Sequence, residues 1–145
     1  MSAEATVELI RVRYGETDQM GHAYYANYLY WFEQARGAWC RARGFNYSDI
    51  EKLGILMPVV EVHARYRGEV HYDDAIEVKV WAGEIKRAAI KFDYEIRVQG
   101  REGVVTEGYS WHVFMSPETR KAITLPSEIR EWMTRSPYPN SENMA

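Results

Sequence analysis

The chain has 145 residues, 46% of them apolar and 27% charged, with a net charge of -3. That is length enough for one domain with a real core. The balance excludes a disordered chain, a basic nucleic-acid footprint and a polybasic membrane anchor.

Residues 6–14 are rich in β-formers and predict a first strand, with Val7, Leu9, Arg11 and Arg13 on one face and Glu8, Ile10, Val12 and Tyr14 on the other. Gly15 and the Glu16-Thr17-Asp18 cluster break it. A helix is expected over about residues 24–43. Tyr28, Trp31, Phe32, Ala35, Trp39 and Ala42 recur at the three-and-four spacing of one apolar face, and Glu33, Gln34, Arg36, Arg41 and Arg43 take the rest. Gly44 suits the C-terminal cap. Ser48-Asp49-Ile50-Glu51 reads as a capping box opening one or two helical turns.

After Pro58 the period changes from 3.6 to 2. Val60, Val62, Ala64 and Tyr66 alternate with polar residues, and so do Ile76, Val78, Val80 and Ala82. A turn is expected near 83–87. Ala88, Ile90, Phe92, Tyr94, Ile96 and Val98 give the cleanest strand pattern in the chain. Residues 100–103 form a hairpin turn, and residues 105–115 a further strand. A short strand at 121–123 and a last helix over about 126–133 follow. Residues 1–135 are expected to form a single domain and 136–145 a mobile tail. The expected architecture is α+β: a curled antiparallel sheet of five to six strands wrapped around one long central helix. Its long edges call for cover by other subunits.

The aromatic load (Trp 5, Tyr 11 and Phe 4) argues for a packed, self-associating protein. No apolar run is long enough to span a bilayer, and the first six residues lack the basic start and apolar stretch of a signal peptide. Cys40 is the only cysteine, so neither an intrachain disulfide nor a cysteine zinc site is expected. The expected setting is cytoplasmic, with no metal and no cofactor.

The functional signal concentrates in residues 14–28. Asp18 sits on a turn that leads directly into the helix, and backbone N–H groups at a helix start have no intrahelical acceptor. A carboxylate beside free N–H donors is what acyl transfer needs. The plain alternative is that Asp18 only caps the turn. Gly21 lets the chain pass close to a substrate. His22 is either a second acid/base or a residue bonding a loop carbonyl, and Asn27 either orients substrate or caps the first turn. Glu33 and Arg36 are spaced to pair along the helix. His63, His71 and His112 lie apart and suggest no metal site.

Three segments together carry a resemblance: Tyr14-x-x-x-Asp18-x-x-Gly21-His22-x-x-Tyr25-x-Asn27-Tyr28, then Phe32-Glu33-x-Ala35-Arg36, then Tyr66-x-x-x-Val70-x-Tyr72-Asp73-Asp74. In this order the chain resembles the hotdog-fold acyl-CoA thioesterases, nearest the 4-hydroxybenzoyl-CoA thioesterase branch, over about residues 7–133. The resemblance implies hydrolysis of an acyl-CoA thioester, short-chain or aryl, to free acid and CoA. It implies Asp18 as the catalytic carboxylate, acting on water or directly on the carbonyl, and the backbone N–H of Tyr25 as the donor to the thioester oxygen. It also implies a dimer or tetramer with active sites at the interface, and CoA contacts through basic side chains. Lys86 and Arg87 match such a basic stretch, and Arg65 and Arg67 are further candidates; a solvated turn is the alternative. An acyl-carrier-protein thioesterase and a non-catalytic acyl-CoA-binding protein are the competing functions. The chain departs from the commonest branches at Ala23-Tyr24-Tyr25, where others carry Val-Tyr-His or Val-Asn-Asn, so no branch-specific acyl preference transfers.

Overall fold

The computed structural model describes residues 4–137. It contains strand β1 (Thr6–Arg11), a single 3₁₀ turn (Tyr14–Glu16), helices α1 (Asn27–Ala42) and α2 (Tyr47–Lys52), strands β2 (Val59–Tyr66), β3 (Ala75–Ile85), β4 (Ala89–Val98) and β5 (Thr106–Val113), and helix α3 (Ser127–Thr134). Most of the tail expected to be mobile, residues 138–145, lies outside the described residues.

The five strands form one antiparallel sheet in the order β1-β3-β4-β5-β2. Helix α1 lies against it, presenting Tyr28, Trp31, Phe32, Ala35 and Trp39 to the apolar rows Ile76, Val78, Val80 and Ala82 of β3 and Ile90, Phe92, Tyr94 and Ile96 of β4. Those rows alternate with half-exposed residues, the signature of a sheet with one covered face. Stacked rings of Phe32 and Tyr94, with centroids 4.1 Å apart, join helix to sheet. Of the two faces of β1, the one carrying Glu8, Ile10 and Val12 turns inward, while Val7 and Leu9 are exposed.

Several expectations are corrected. The sheet has five strands, within the expected five to six; what is corrected is the short strand at 121–123, where the structure has only an isolated bridge between Met115 and Ala122. Strand β3 runs through the expected turn to Ile85, absorbing an irregularity in register between Ala82 and Glu84. The capping box of α2 lies two residues earlier than its sequence signature: Asn46 accepts from the Asp49 N–H at 3.0 Å, and Asp49 accepts from the Asn46 N–H at 2.9 Å. Asn46 has the extended backbone a cap requires. Helix α1 begins at Asn27, after a turn through Tyr24 to Ala26, and so starts later than its apolar pattern suggests.

Arg36 does not pair with Glu33. It is buried on the core side of α1, where its Nε donates to the Tyr47 hydroxyl at 3.2 Å and its Nη1 to that of Tyr94 at 3.0 Å. Tyr94 continues the chain to Ser110 at 2.6 Å, and Ser110 to His112 Nε2 at 2.9 Å. This network accounts for the polar Ser110 and His112 on the inward face of β5, whereas Tyr109 and Trp111 face outward. His112 is therefore a core histidine. Burial first, and the Arg36 charge second, push it down to about 4.

Candidate active site

The turn between β1 and α1 is built from local bonds. The Asp18 carbonyl accepts from the Gly21 N–H at 3.0 Å, and the Asp18 N–H donates to the His22 carbonyl at 3.0 Å. Gly21 has φ +88°, which a residue with a side chain adopts only at a cost. One carboxylate oxygen of Asp18, Oδ1, accepts from the Met20 N–H at 2.9 Å. Among the described residues, the ion-pair partner of the other oxygen, Oδ2, is the His22 ring, with Nδ1 at 4.0 Å. Asp18 thus keeps one oxygen for other work while the second fixes its rotamer.

The helix start is held from three sides. Glu16 is the hub: its backbone carbonyl accepts from the Tyr24 N–H at 2.8 Å and from Asn27 Nδ2 at 2.9 Å. Its buried carboxylate accepts from the Trp31 indole N–H at 3.0 Å and from the Arg13 N–H at 2.8 Å. The side chain of Asn27 is therefore a tether. The Tyr24 carbonyl accepts from the Asn27 N–H at 3.0 Å. Among the described residues, no acceptor meets the N–H of Tyr25 or that of Ala26. Free donors at this end of α1 lie at the positive pole of the helix.

A groove of about 860 Å³ opens here. Asp18, His22, Tyr25, Tyr28, Tyr66 and Arg101 are among the residues that line it. Its walls are phenolic. The Tyr24 and Tyr25 rings lie 4.6 Å apart, and the hydrogen bond to Tyr25 is the main cause that holds the Tyr24 hydroxyl above the usual range. Burial first, then the neighbouring Tyr66 hydroxyl, push Tyr28 up to about 12, so it lines the groove as a neutral donor. A larger groove, of about 990 Å³, runs along another flank of α1 past Glu33, Arg36 and Tyr47. In the smaller one a carboxylate with a spare oxygen, Asp18, shares the space with Tyr25.

Of the four basic residues singled out in the sequence, Arg67 alone lines this groove, and it is paired with Glu107 at 2.7 Å. Arg65 lines a depression of about 290 Å³ beside Trp81 and Tyr109. Lys86 sits over the Trp111 ring at 4.8 Å, and Arg87 donates to the Thr124 hydroxyl at 2.7 Å. The structure brings in residues not singled out for the site in the sequence: Arg101 from the β4–β5 turn, which donates to the Glu69 carbonyl at 3.0 Å, together with Glu69, His71 and Tyr66, the last of which opens the third segment of the resemblance. His22 and His71 meet through an isolated bridge, which closes the back of the turn. Among the described residues, no group of three or more His, Cys, Asp or Glu side chains could hold a metal ion.

Residues 12–133 match the model of the thioesterase-like superfamily. A Bacillus subtilis protein named "Putative acyl-CoA thioesterase YneP" is 37% identical over 125 residues, spanning 86% of this chain and 90% of that one. The crystal structure of a DHNA-CoA thioesterase from Staphylococcus aureus superposes with a TM-score of 0.82 at 34% identity, covering 88% of this chain and 85% of that one. An Asp-to-Asn mutant of 4-hydroxybenzoyl CoA thioesterase, complexed with 4-hydroxybenzoyl CoA, shares the fold with a TM-score of 0.81 at 20% identity, covering 90% of this chain and 99% of that one.

Proposed function

The chain belongs to the thioesterase-like superfamily and is an acyl-CoA thioesterase of the hotdog fold; from that premise we propose that Asp18 and the Tyr25 N–H carry out the hydrolysis. The observation that carries this reading is the pairing of the spare Asp18 oxygen with an unbonded N–H of Tyr25 along one groove.

The thioester carbonyl oxygen sits against the Tyr25 N–H, where charge builds as the carbon becomes tetrahedral. Asp18 either takes a proton from an attacking water or attacks the carbonyl itself, giving an anhydride that water then opens. In both routes the C–S bond breaks, the CoA thiolate leaves and takes up a proton, and the net change is thioester plus water to acid plus thiol. A thiolate is a stable leaving group, so a strong general acid is not required. The phenolic walls suit a short or aryl acyl group, and Arg67 and Arg101 are the cations placed to meet the CoA phosphates.

The groove reaches β2 only at its last residue, Tyr66, and a separate apolar depression lined by Val59, Val62, Leu29 and Tyr30 lies beside the start of α1. That strand is an unpaired edge, and Val59, Val60 and Val62 on it are exposed together with Leu29 and Tyr30 of α1. A second copy covering this apolar face would lie against Ala26, next to Tyr25, so we read the site as one completed in a dimer or a larger assembly. Light scattering should report a dimer or tetramer, and a stable monomer would remove this part of the reading. The catalytic assignment is tested with a panel of acyl-CoAs and a thiol-trapping reagent, on wild type and Asp18→Asn. The variant should lose roughly a hundredfold or more in kcat. Undiminished turnover in it would clear Asp18 of any role. No turnover by wild type on any CoA or carrier-protein thioester would point to a binding protein.

A further inference from the structure

Tyr66, the last residue of β2, lies 41 positions from Tyr25, yet its hydroxyl donates to the Tyr25 carbonyl at 3.0 Å. The other donor to that carbonyl is the Tyr28 N–H, at 3.3 Å, a long bond in the first turn of α1. The peptide on the other side of Tyr25 is anchored through the Tyr24 carbonyl by Asn27. The Tyr24–Tyr25 peptide, which carries the catalytic N–H, is therefore held by its oxygen, and so is the Tyr25–Ala26 peptide that follows it, where the shorter bond comes from a different element of the fold.

The phenol is itself fixed. Its ring meets the buried Tyr28 edge-on at 4.8 Å, and Tyr28 packs at 4.7 Å on Trp31, whose indole N–H is bonded to Glu16. Burial first, then the Tyr25 phenol, hold the Tyr66 hydroxyl above the usual tyrosine range, so it remains a donor wherever the enzyme is assayed. Neither local sequence nor the helix start supplies this bond. Without it the peptide joining Tyr25 to Ala26 depends on the 3.3 Å bond alone, and rotation there swings the Tyr25 backbone out of line.

We propose that Tyr66 is a positioning residue for the hydrolysis: its hydroxyl locks the Tyr25–Ala26 peptide so that the Tyr25 N–H stays aimed at the developing oxyanion. This rests on the catalytic reading above. It also gives β2 a second task, since the strand that offers the open edge steadies the donor as well. The magnitude follows from what is lost. The donor itself survives, so the penalty is one of alignment and falls well below the roughly hundredfold or larger loss expected for deleting an oxyanion donor.

The test is Tyr66→Phe, which keeps the ring against Tyr28 and the apolar edge while removing the hydroxyl alone. With an acyl-CoA that the wild type turns over, kcat should fall roughly five- to tenfold and KM should stay within about twofold. The melting temperature and the acid limb of the pH–rate profile should be unchanged. Amide exchange at Asn27 and Tyr28, whose N–H groups bond the two anchored carbonyls, should accelerate. A purely structural tyrosine would instead lower the melting temperature or raise KM and leave kcat alone. Unchanged kcat in an active Tyr66→Phe protein, or unchanged exchange at Asn27 and Tyr28, overturns this role and leaves Asp18 standing. A wild type inactive on every thioester overturns the catalytic reading and this role with it.

Discussion

Replacing Glu16 by Gln tests whether one buried carboxylate holds the two halves of the site together. The residue is 5% exposed and its two carboxylate oxygens serve two donors: Oε1 takes the Arg13 N–H at 2.8 Å, and Oε2 takes the Trp31 indole N–H at 3.0 Å. Arg13 Nη2 approaches Oε2 at 3.4 Å from an exposed side chain and adds little. Gln has the same shape but one acceptor oxygen and one NH₂, so only one of the two N–H groups keeps its bond and the other faces a donor. A hydrogen bond to a charged group is worth about 1.5–3 kcal/mol, and a stranded buried donor costs about 1–3 kcal/mol. Relief of the burial of a charge offsets part of this. The expected net loss is about 2 kcal/mol, or a fall of roughly 6–8 °C in melting temperature for a chain of this size. The same carbonyl-and-carboxylate hub ties Tyr24 and Asn27 to the turn, so kcat should fall with stability even at temperatures where the variant is fully folded. Urea unfolding by Trp fluorescence, paired with thioester turnover at 15 °C, reads both. A loss under about 0.5 kcal/mol would refute the reasoning, because it would mean that the Arg13 and Trp31 N–H groups find other acceptors.

Two further outcomes follow from the core. His112 titrates near 6.5 in the unfolded chain but only at about 4 in the fold, so the folded state resists a proton that the unfolded state accepts. Its contribution is fully present above pH 6.5 and is lost as the pH falls toward 4. Wild type should therefore lose about 2 kcal/mol more than His112→Gln between pH 7 and pH 4.5, measured by urea midpoints, and parallel losses would show that His112 is not responsible. At Gly108 an added Cβ would overlap the His63 carbonyl oxygen of β2 and sit 2.9 Å from the Phe32 ring. Gly108→Ala should cost about 2–3 kcal/mol in urea unfolding, and a neutral effect would mean that α1 can lift off the sheet at no cost.

The local parts of the site were legible in the chain because neighbours in sequence make them. Asp18, Gly21 and Tyr25 lie within eight residues, and a turn running into a helix start puts a carboxylate beside free N–H groups wherever it occurs. Helix α1 and strands β3 and β4 were equally readable, since each buries a continuous stripe and shows its period. Alternation in β2 and β5 said which residues share a face without saying which face is covered. That is why Arg65, in an outer depression, was grouped with Arg67, which reaches the groove once β2 has ended. Glu33 and Arg36 have the spacing of a helical pair, but Arg36 is buried between α2 and the sheet, where Tyr47 of α2 and Tyr94 of β4 each supply a phenol instead.

Sequence alone determined the kind of fold and the position of the candidate carboxylate Asp18, because both rest on short-range periodicity and on a turn of a few residues. Only the tertiary structure decided what steadies the reaction. Trp31 reaches back 15 positions to Glu16, Tyr66 reaches back 41 to Tyr25, and Arg101 crosses 32 to Glu69. Those bonds exist because the sheet wraps the helix and brings the far ends of the chain to one rim, and separation along the chain leaves no local pattern to announce them.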